Sequence, residues 1–225
     1  MPLQRRGLHR PQARRWFGHA HGSNSQRPLG PGAAPPAPAA AAPPLHVVLV
    51  QPDIPSNTGA AGRTCLGFGA VLHLVEPLGF DLSDRRVKRA GLDYWKHVDL
   101  RVHASWSDLV DHLSAPPISM HPSALFFITK FGDASLCDVN FVKPPPAGQP
   151  EPQPQPLALV FGSETRGLSA IEAEPAYAKG VTVGLPMHST EVLRSLNLST
   201  CVAVVLWEAY RQLAGTQRIG GHGDN

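Results

Sequence analysis

Three loops of this 225-residue chain hold the residue types that could do chemistry: NTGAAGR over 57–63, FGSETRGL over 161–168, and LPMHSTEVLRSLNLS over 185–199. Each follows a short apolar run (LHVVLV, LALV or VTV) of the kind a buried strand makes. In an open parallel sheet, ligands bind beyond the carboxyl ends of the strands, so the three loops are expected to converge there. Taken singly, each is ordinary turn punctuation; only their convergence points to a site. Pattern removes several chemistries. There is no GxGxxG in the first strand-to-helix turn, no GxxxxGK(S/T) phosphate loop and no GxSxG elbow. Carboxylates near the loops are sparse, with Asp53 and Glu164 the main candidates, which weighs against general acid–base hydrolysis. The histidines show no HExxH or two-His-carboxylate spacing, and Cys65, Cys137 and Cys201 form no CxxC. Neither a metal site nor a disulfide framework is expected.

The elements that must carry these loops read as alternating strands and helices. LHVVLV is a buried strand, Asn57 is placed to cap a helix running from about 58 to 67, and AVLHLVEP returns as a second strand, a βαβ unit that demands a parallel sheet. Residues 84–90 have a polar helical pattern, 98–102 reads as a strand, 106–113 as a helix and 124–129 as a buried strand. Further strands are expected at LALVFG and over 181–185, with a short helix near 169–174 between them. The chain closes on a helix over 198–213 in which Leu198, Val202, Val205, Ala209 and Leu213 share one face, suited to a core or a partner. Cys65 and Cys201 fall in apolar helical patterns and read as small core residues.

Composition sets the limits of that body. Of 24 prolines, nine lie in 1–44 and seven in 144–156, so the rest of the chain is ordinary in proline and suits one α/β domain over 45–213, with a surface excursion at 144–156 and a tail over 214–225. Six of the 20 basic residues are arginines in 1–44, which has no acid; the remainder has 14 basic against 17 acidic residues, a net of −3. The leader resembles an organellar transit peptide, chloroplast or mitochondrial, more than a secretory signal, because it lacks an unbroken apolar region. A disordered extension with no address, leaving the protein cytoplasmic, is the alternative. No stretch approaches the roughly 20 apolar residues of a membrane helix, so no membrane partner is expected.

The three loops, in order, resemble motifs 1, 2 and 3 of the SPOUT class of RNA methyltransferases: Asn57-Thr58-Gly59 with Arg63, then Phe161 to Gly167, then Leu185-Pro186-Met187 followed by Ser195-Leu196-Asn197. Together, PDIPSNTG, EPLGF, RRVKRAGLDYW, FGSETRGL and SLNLSTCVAVVLWEAYRQL are similar to the compact subgroup that 2′-O-methylates the wobble nucleotide, cytidine or uridine 34, of tRNA. The resemblance covers about 45–213. It implies an α/β fold with a deep trefoil knot and a mainly parallel central sheet, S-adenosylmethionine as cofactor, a tRNA anticodon stem-loop as substrate, and a homodimer. By position, it implies cofactor contacts from the backbone around Phe127, Gly162 and Leu185, together with Ser195, and a catalytic set of Arg63, Asn57, Ser195 and Asn197. Gly162 suits a backbone approach to adenine, because a side chain would obstruct it.

Arginine is almost never deprotonated, so Arg63 is expected to orient the 2′-hydroxyl and stabilise developing alkoxide charge; a structural pair with Glu164 is the alternative. Asn197 could instead only cap the last helix. Arg85, Arg86, Lys88 and Arg89 form the densest basic cluster and are expected to meet RNA phosphates. Tyr94, beside Trp95, could stack on a base or be buried. Lys130 is a further expected RNA contact, and Arg166 either that or structural. The seven residues between Met187 and Ser195, and the excursion at 144–156, depart from the compact pattern. Methylation of ribosomal RNA, or RNA binding without catalysis, are the rival readings.

Overall fold

The computed structural model describes residues 45–82, 92–142, 155–188, 192–193 and 195–217; the basic cluster at 85–89, the helical pattern over 84–90, the excursion at 144–156 up to 154, and the leader lie outside them. In chain order the elements are β1 (Leu45–Val50), α1 (Pro55–Phe68), β2 (Val71–Val75), β3 (Leu100–His103), α2 (Trp106–Ser114), β4 (Leu125–Ile128), β5 (Ala134–Ser135), β6 (Leu157–Phe161), α3 (Pro175–Lys179), β7 (Val181–Gly184) and α4 (Leu198–Gln217), with 3-10 turns at Leu92–His97 and Pro122–Ala124. The seven strands form one sheet, order β3-β2-β1-β6-β4-β7-β5, and every pairing is parallel. β1, β2, β4 and β6 are buried along their whole length, as strands covered on both faces must be. The chain re-enters the sheet twice, placing β6 between β1 and β4 and β7 between β4 and β5.

Local chemistry sets the helix ends. α1 begins at Pro55, whose fixed φ suits a first helical position, and ends at Gly69 in the left-handed region, φ 65°. Asn57 therefore lies within the first turn and does not cap; its side chain is engaged by two distant loops. Ser105 caps α2, its hydroxyl oxygen accepting the Asp108 N–H at 3.1 Å. The helix expected near 169–174 is a run of turns, and the helical segment starts at Pro175 instead. Cys65 is buried, and Cys201 is half-buried with its thiol 3.7 Å from the Leu196 carbonyl.

α4 packs Leu198, Val202, Val205, Leu206, Ala209 and Leu213 into the core of the domain. The stripe that the sequence offered to core or partner is thus spent internally. A different face, with Val204, Trp207 and Tyr210, is exposed, and Phe68 of α1 lies beside it with ring centroids 5.9 Å from Trp207 and 5.2 Å from Tyr210.

The histidines that looked scattered in sequence line up across three strands. His46 Nδ1 is 2.8 Å from His73 Nε2, and His73 Nδ1 is 2.9 Å from His103 Nε2. Arg101 Nη1 donates to His112 Nε2 of α2 at 2.8 Å, and the His112 ring lies 5.2 Å from that of His103. Burial, reinforced by Arg101 and His112, holds His46 down to about 4. Burial and the neighbouring imidazoles hold His73 down to about 2, and burial also lowers His103. The row is therefore neutral.

Candidate active site

β1, β6, β4 and β7 are neighbours and end nearly level: Leu49 is in register with Phe161, Phe161 with Ile128, and Ile128 with Val183. The loops that leave these strands thus share one edge, as convergence required. Glu164 joins two of them. One of its carboxylate oxygens accepts the Asp53 backbone N–H at 2.8 Å and the other accepts Asn57 Nδ2 at 2.7 Å. The third loop enters through Asn197, whose Nδ2 donates to Asn57 Oδ1 at 3.0 Å. Asn197 Oδ1 in turn accepts the Ser199 N–H at 2.9 Å, so this residue caps α4 and joins the network at once. Asp53 closes a second link by accepting the Thr165 hydroxyl at 2.6 Å. A buried amide such as Asn57 needs all its polar atoms paired, and here both partners arrive from loops more than 100 residues away.

The middle loop is a tight hairpin. Ser163 and Gly167 form an antiparallel bridge, Ser163 Oγ accepts the Arg166 N–H at 3.0 Å, and Gly167 takes a left-handed φ of 59°. A Cβ on Gly162 would stand 2.0 Å from the Gly167 carbonyl carbon, so only glycine permits the hairpin to close against its own base.

Arg63 is exposed, one turn beyond Gly59 on α1. Its guanidinium sits 5.4 Å from the centroid of the Tyr94 ring, and the Tyr94 hydroxyl donates to the Gly59 carbonyl at 3.4 Å. Burial pushes the Tyr94 phenol up, partly opposed by the Arg63 charge. The Arg63–Glu164 pair does not form: both Glu164 oxygens are held by amide N–H groups, and among the described residues no ion pair of Arg63 is seen. Trp95 lies against Gly62, where a Cβ would meet its ring at 2.5 Å. The aromatic pair thus braces the arginine's helix.

Leu185, Met187, Ser195 and Asn197 lie on the same edge, and Lys130 and Arg166 are exposed there. Phe127 differs. Its side chain is fully buried, with its ring centroid 4.7 Å from Tyr177 and 6.0 Å from Trp106, so it serves the core, and the contact expected here concerns the backbone, one residue before the end of β4. Sequence reasoning underrated Glu164 and Asp53, whose roles depend on partners 107 to 112 residues away, a separation no periodicity registers.

The family model described as the SpoU rRNA Methylase family matches residues 44–207. A curated relative, the tRNA (cytidine(34)-2'-O)-methyltransferase of Burkholderia pseudomallei, is 43% identical over 168 residues, covering 75% of this chain and 95% of that protein. This chain belongs to the SpoU methylase family. A solved structure concerned with the 2-OH methylation of C/U34 on tRNA is 40% identical and has a TM-score of 0.63, covering 78% of this chain and 99% of that one. The SpoU methyltransferase AviRb from Streptomyces viridochromogenes, solved in complex with the cofactor AdoMet, is 25% identical with a TM-score of 0.59, covering 82% of this chain and 61% of that one. The family uses S-adenosylmethionine, and the edge fits it in donor chemistry. β6 and β7, which flank β4, hand over to their loops at nearly the same level, at Gly162 and at Gly184-Leu185, and a Cβ on Gly184 would meet nothing closer than 3.6 Å. Asn197, a short neutral polar side chain two residues after Ser195, is hydrogen-bonded to Asn57 at this edge. Among the described residues no His/Cys/Asp/Glu group could hold a metal.

Proposed function

We propose that this protein transfers a methyl group from S-adenosylmethionine to the ribose 2′-hydroxyl of the wobble nucleotide, cytidine or uridine 34, of tRNA. The observation that carries the reading is the hydrogen-bonded series Glu164–Asn57–Asn197, which locks three distant loops together at the start of the helix that carries Arg63, an exposed guanidinium with no ion pair among the described residues. Two relatives covered almost end to end, described in terms of position 34, support the choice of substrate.

When bound, the cofactor supplies an electrophilic sulfonium methyl. Backbone around Phe127, Gly162 and Leu185, with Ser195, would hold it. Arg63 keeps its proton, so it acts by orientation and charge: it fixes the attacking hydroxyl and its phosphate and stabilises the alkoxide as it develops. The Tyr94 ring below limits where that guanidinium can swing. Asn57 and Asn197 are positioning residues, because their amides are spent on the loops themselves. Lys130 and Arg166, and the cluster Arg85, Arg86, Lys88 and Arg89, meet the anticodon stem-loop through its phosphates.

Two homodimer protomers meet through the exposed Val204, Trp207 and Tyr210 surface, beside the half-buried Phe68; sedimentation of Trp207→Ala as a monomer supports that, and an unchanged mass overturns it. The double re-entry of β6 and β7 into the sheet supports a knotted path. The acid-free arginine-rich leader supports an organellar address. The activity is tested by incubation with labelled S-adenosylmethionine and separate tRNA and rRNA pools, followed by nucleoside mapping. Label at the 2′-oxygen of nucleotide 34 is expected; label confined to rRNA overturns the assignment.

A further inference from the structure

Phe131 is 78% exposed, the most exposed aromatic side chain among the described residues. It is not exposed because its loop is loose. Its N–H donates to Thr129 Oγ1 at 3.3 Å, and the Thr129 N–H donates to the Val183 carbonyl at 3.0 Å. On its other side, a Cβ on Gly132 would stand 2.2 Å from the Gly184 nitrogen, so the backbone there is pressed directly against β7. The Asp133 N–H then donates to Thr182 Oγ1 at 3.0 Å, and the Thr182 hydroxyl donates to the Asp133 carboxylate at 2.7 Å. A phenyl ring on a free loop would fold back onto the surface; this one is held out into water by the strand beside it.

Its place is specific. β4 lies between β6 and β7, so Phe131 leaves the sheet between the Gly162 hairpin and the Leu185 loop. β1 is two strand positions away, roughly 10 Å at ordinary strand spacing. Lys130 Nζ stands 4.7 Å from the Phe131 ring centroid. An exposed ring with a cation beside it presents stacking to a base and charge to the adjoining phosphate, the pairing used in single-stranded nucleic-acid recognition.

We infer that Phe131, with Lys130, is a stacking platform for an unpaired base of the tRNA anticodon loop and contributes to tRNA affinity rather than to the placement of the reacting ribose. The inference deepens the reading above and rests on it for the identity of the RNA. Phe131→Leu keeps apolar bulk but removes the π face. It is expected to raise the KM for tRNA about ten-fold with kcat and S-adenosylmethionine affinity unchanged, and to weaken tRNA retention in cofactor-free filter binding by the same factor. Phe131→Trp restores both. An unchanged KM and retention for Phe131→Leu overturns the platform. So does a change in cofactor affinity, which would assign the ring to the cofactor, or a change in sedimentation, which would assign it to a second copy of the chain. Wild-type protein that binds tRNA but transfers no methyl sinks the activity while the binding contrast between variants still decides the platform.

Discussion

Two hydrogen-bonded networks of polar side chains lie in this one sheet, and they are built on opposite terms. The edge network, Asp53, Asn57, Glu164, Thr165 and Asn197, joins loops far apart in sequence, contains carboxylates, and borders solvent. The interior network, His46, His73 and His103, joins adjacent strands with imidazoles alone. At the edge the Glu164 carboxylate accepts amide N–H groups beside solvent, so a polar site can be kept where a substrate meets it. Under the helices an ion would lack that solvation. The imidazoles stay neutral, and each must donate from one nitrogen and accept at the other, which makes the row directional. The row ends at His46 Nε2, a buried nitrogen without a hydrogen-bond partner. The lesson is a division of labour: the edge serves transfer, the interior serves stability, and substitutions should separate the two.

The largest expected effect is at the edge. Arg63→Ala should lower methyl transfer by roughly 10²–10³, the loss seen when one preorganised charge-stabilising donor is removed, with an unchanged melting temperature; parallel labelled-methyl assays and thermal scans measure both. An equal loss of stability would break the comparison by making Arg63 structural. In the interior, His73→Ala should cost about 3 kcal/mol in urea unfolding, because it opens a void and strands a nitrogen on His46 and another on His103, while kcat of the folded protein is kept.

Acid sharpens the same contrast. His46 is held near 4 and His73 near 2, against 6.5 for a free histidine, so the unfolded chain takes up protons first as pH falls. Stability is full above about pH 6.5 and declines toward pH 4, by about 2 kcal/mol per histidine at pH 5. Urea midpoints across that range should show the decline, and His46→Phe should reduce it by about half; a flat wild-type profile would mean that the row takes up protons without unfolding. The smallest effect is expected from Glu164→Gln. It turns one acceptor into a donor facing either the Asp53 or the Asn57 N–H, and should lower transfer about ten-fold, near 1.4 kcal/mol, with little change in melting.

Much of the scaffold was legible in the chain because it is local. Apolar runs fixed the strands at 45–50, 71–75, 125–128 and 157–161, and a clear heptad-like face fixed α4. β5, two residues long, has no pattern to find, and Ala134–Ser135 becomes a strand only because β7 runs beside it. At the site, the loops and Arg63 could be picked out by residue type and order. Who held whom could not. Asn57 read as a cap, and Glu164 as a partner for Arg63, until the fold gave both to each other.

What the sequence alone determined is therefore the periodic and the covalent: strand and helix positions, the arginine-rich leader, and the ordered motifs that mark the family. The tertiary structure decided which polar atoms meet, that the helix stripe faces inward, that the histidines form a row, and that Phe131 stands in water. The reason is range. Burial pattern and capping are set within a few residues, whereas a hydrogen bond spanning 107 or 140 positions exists only after the sheet order has brought both ends to one edge.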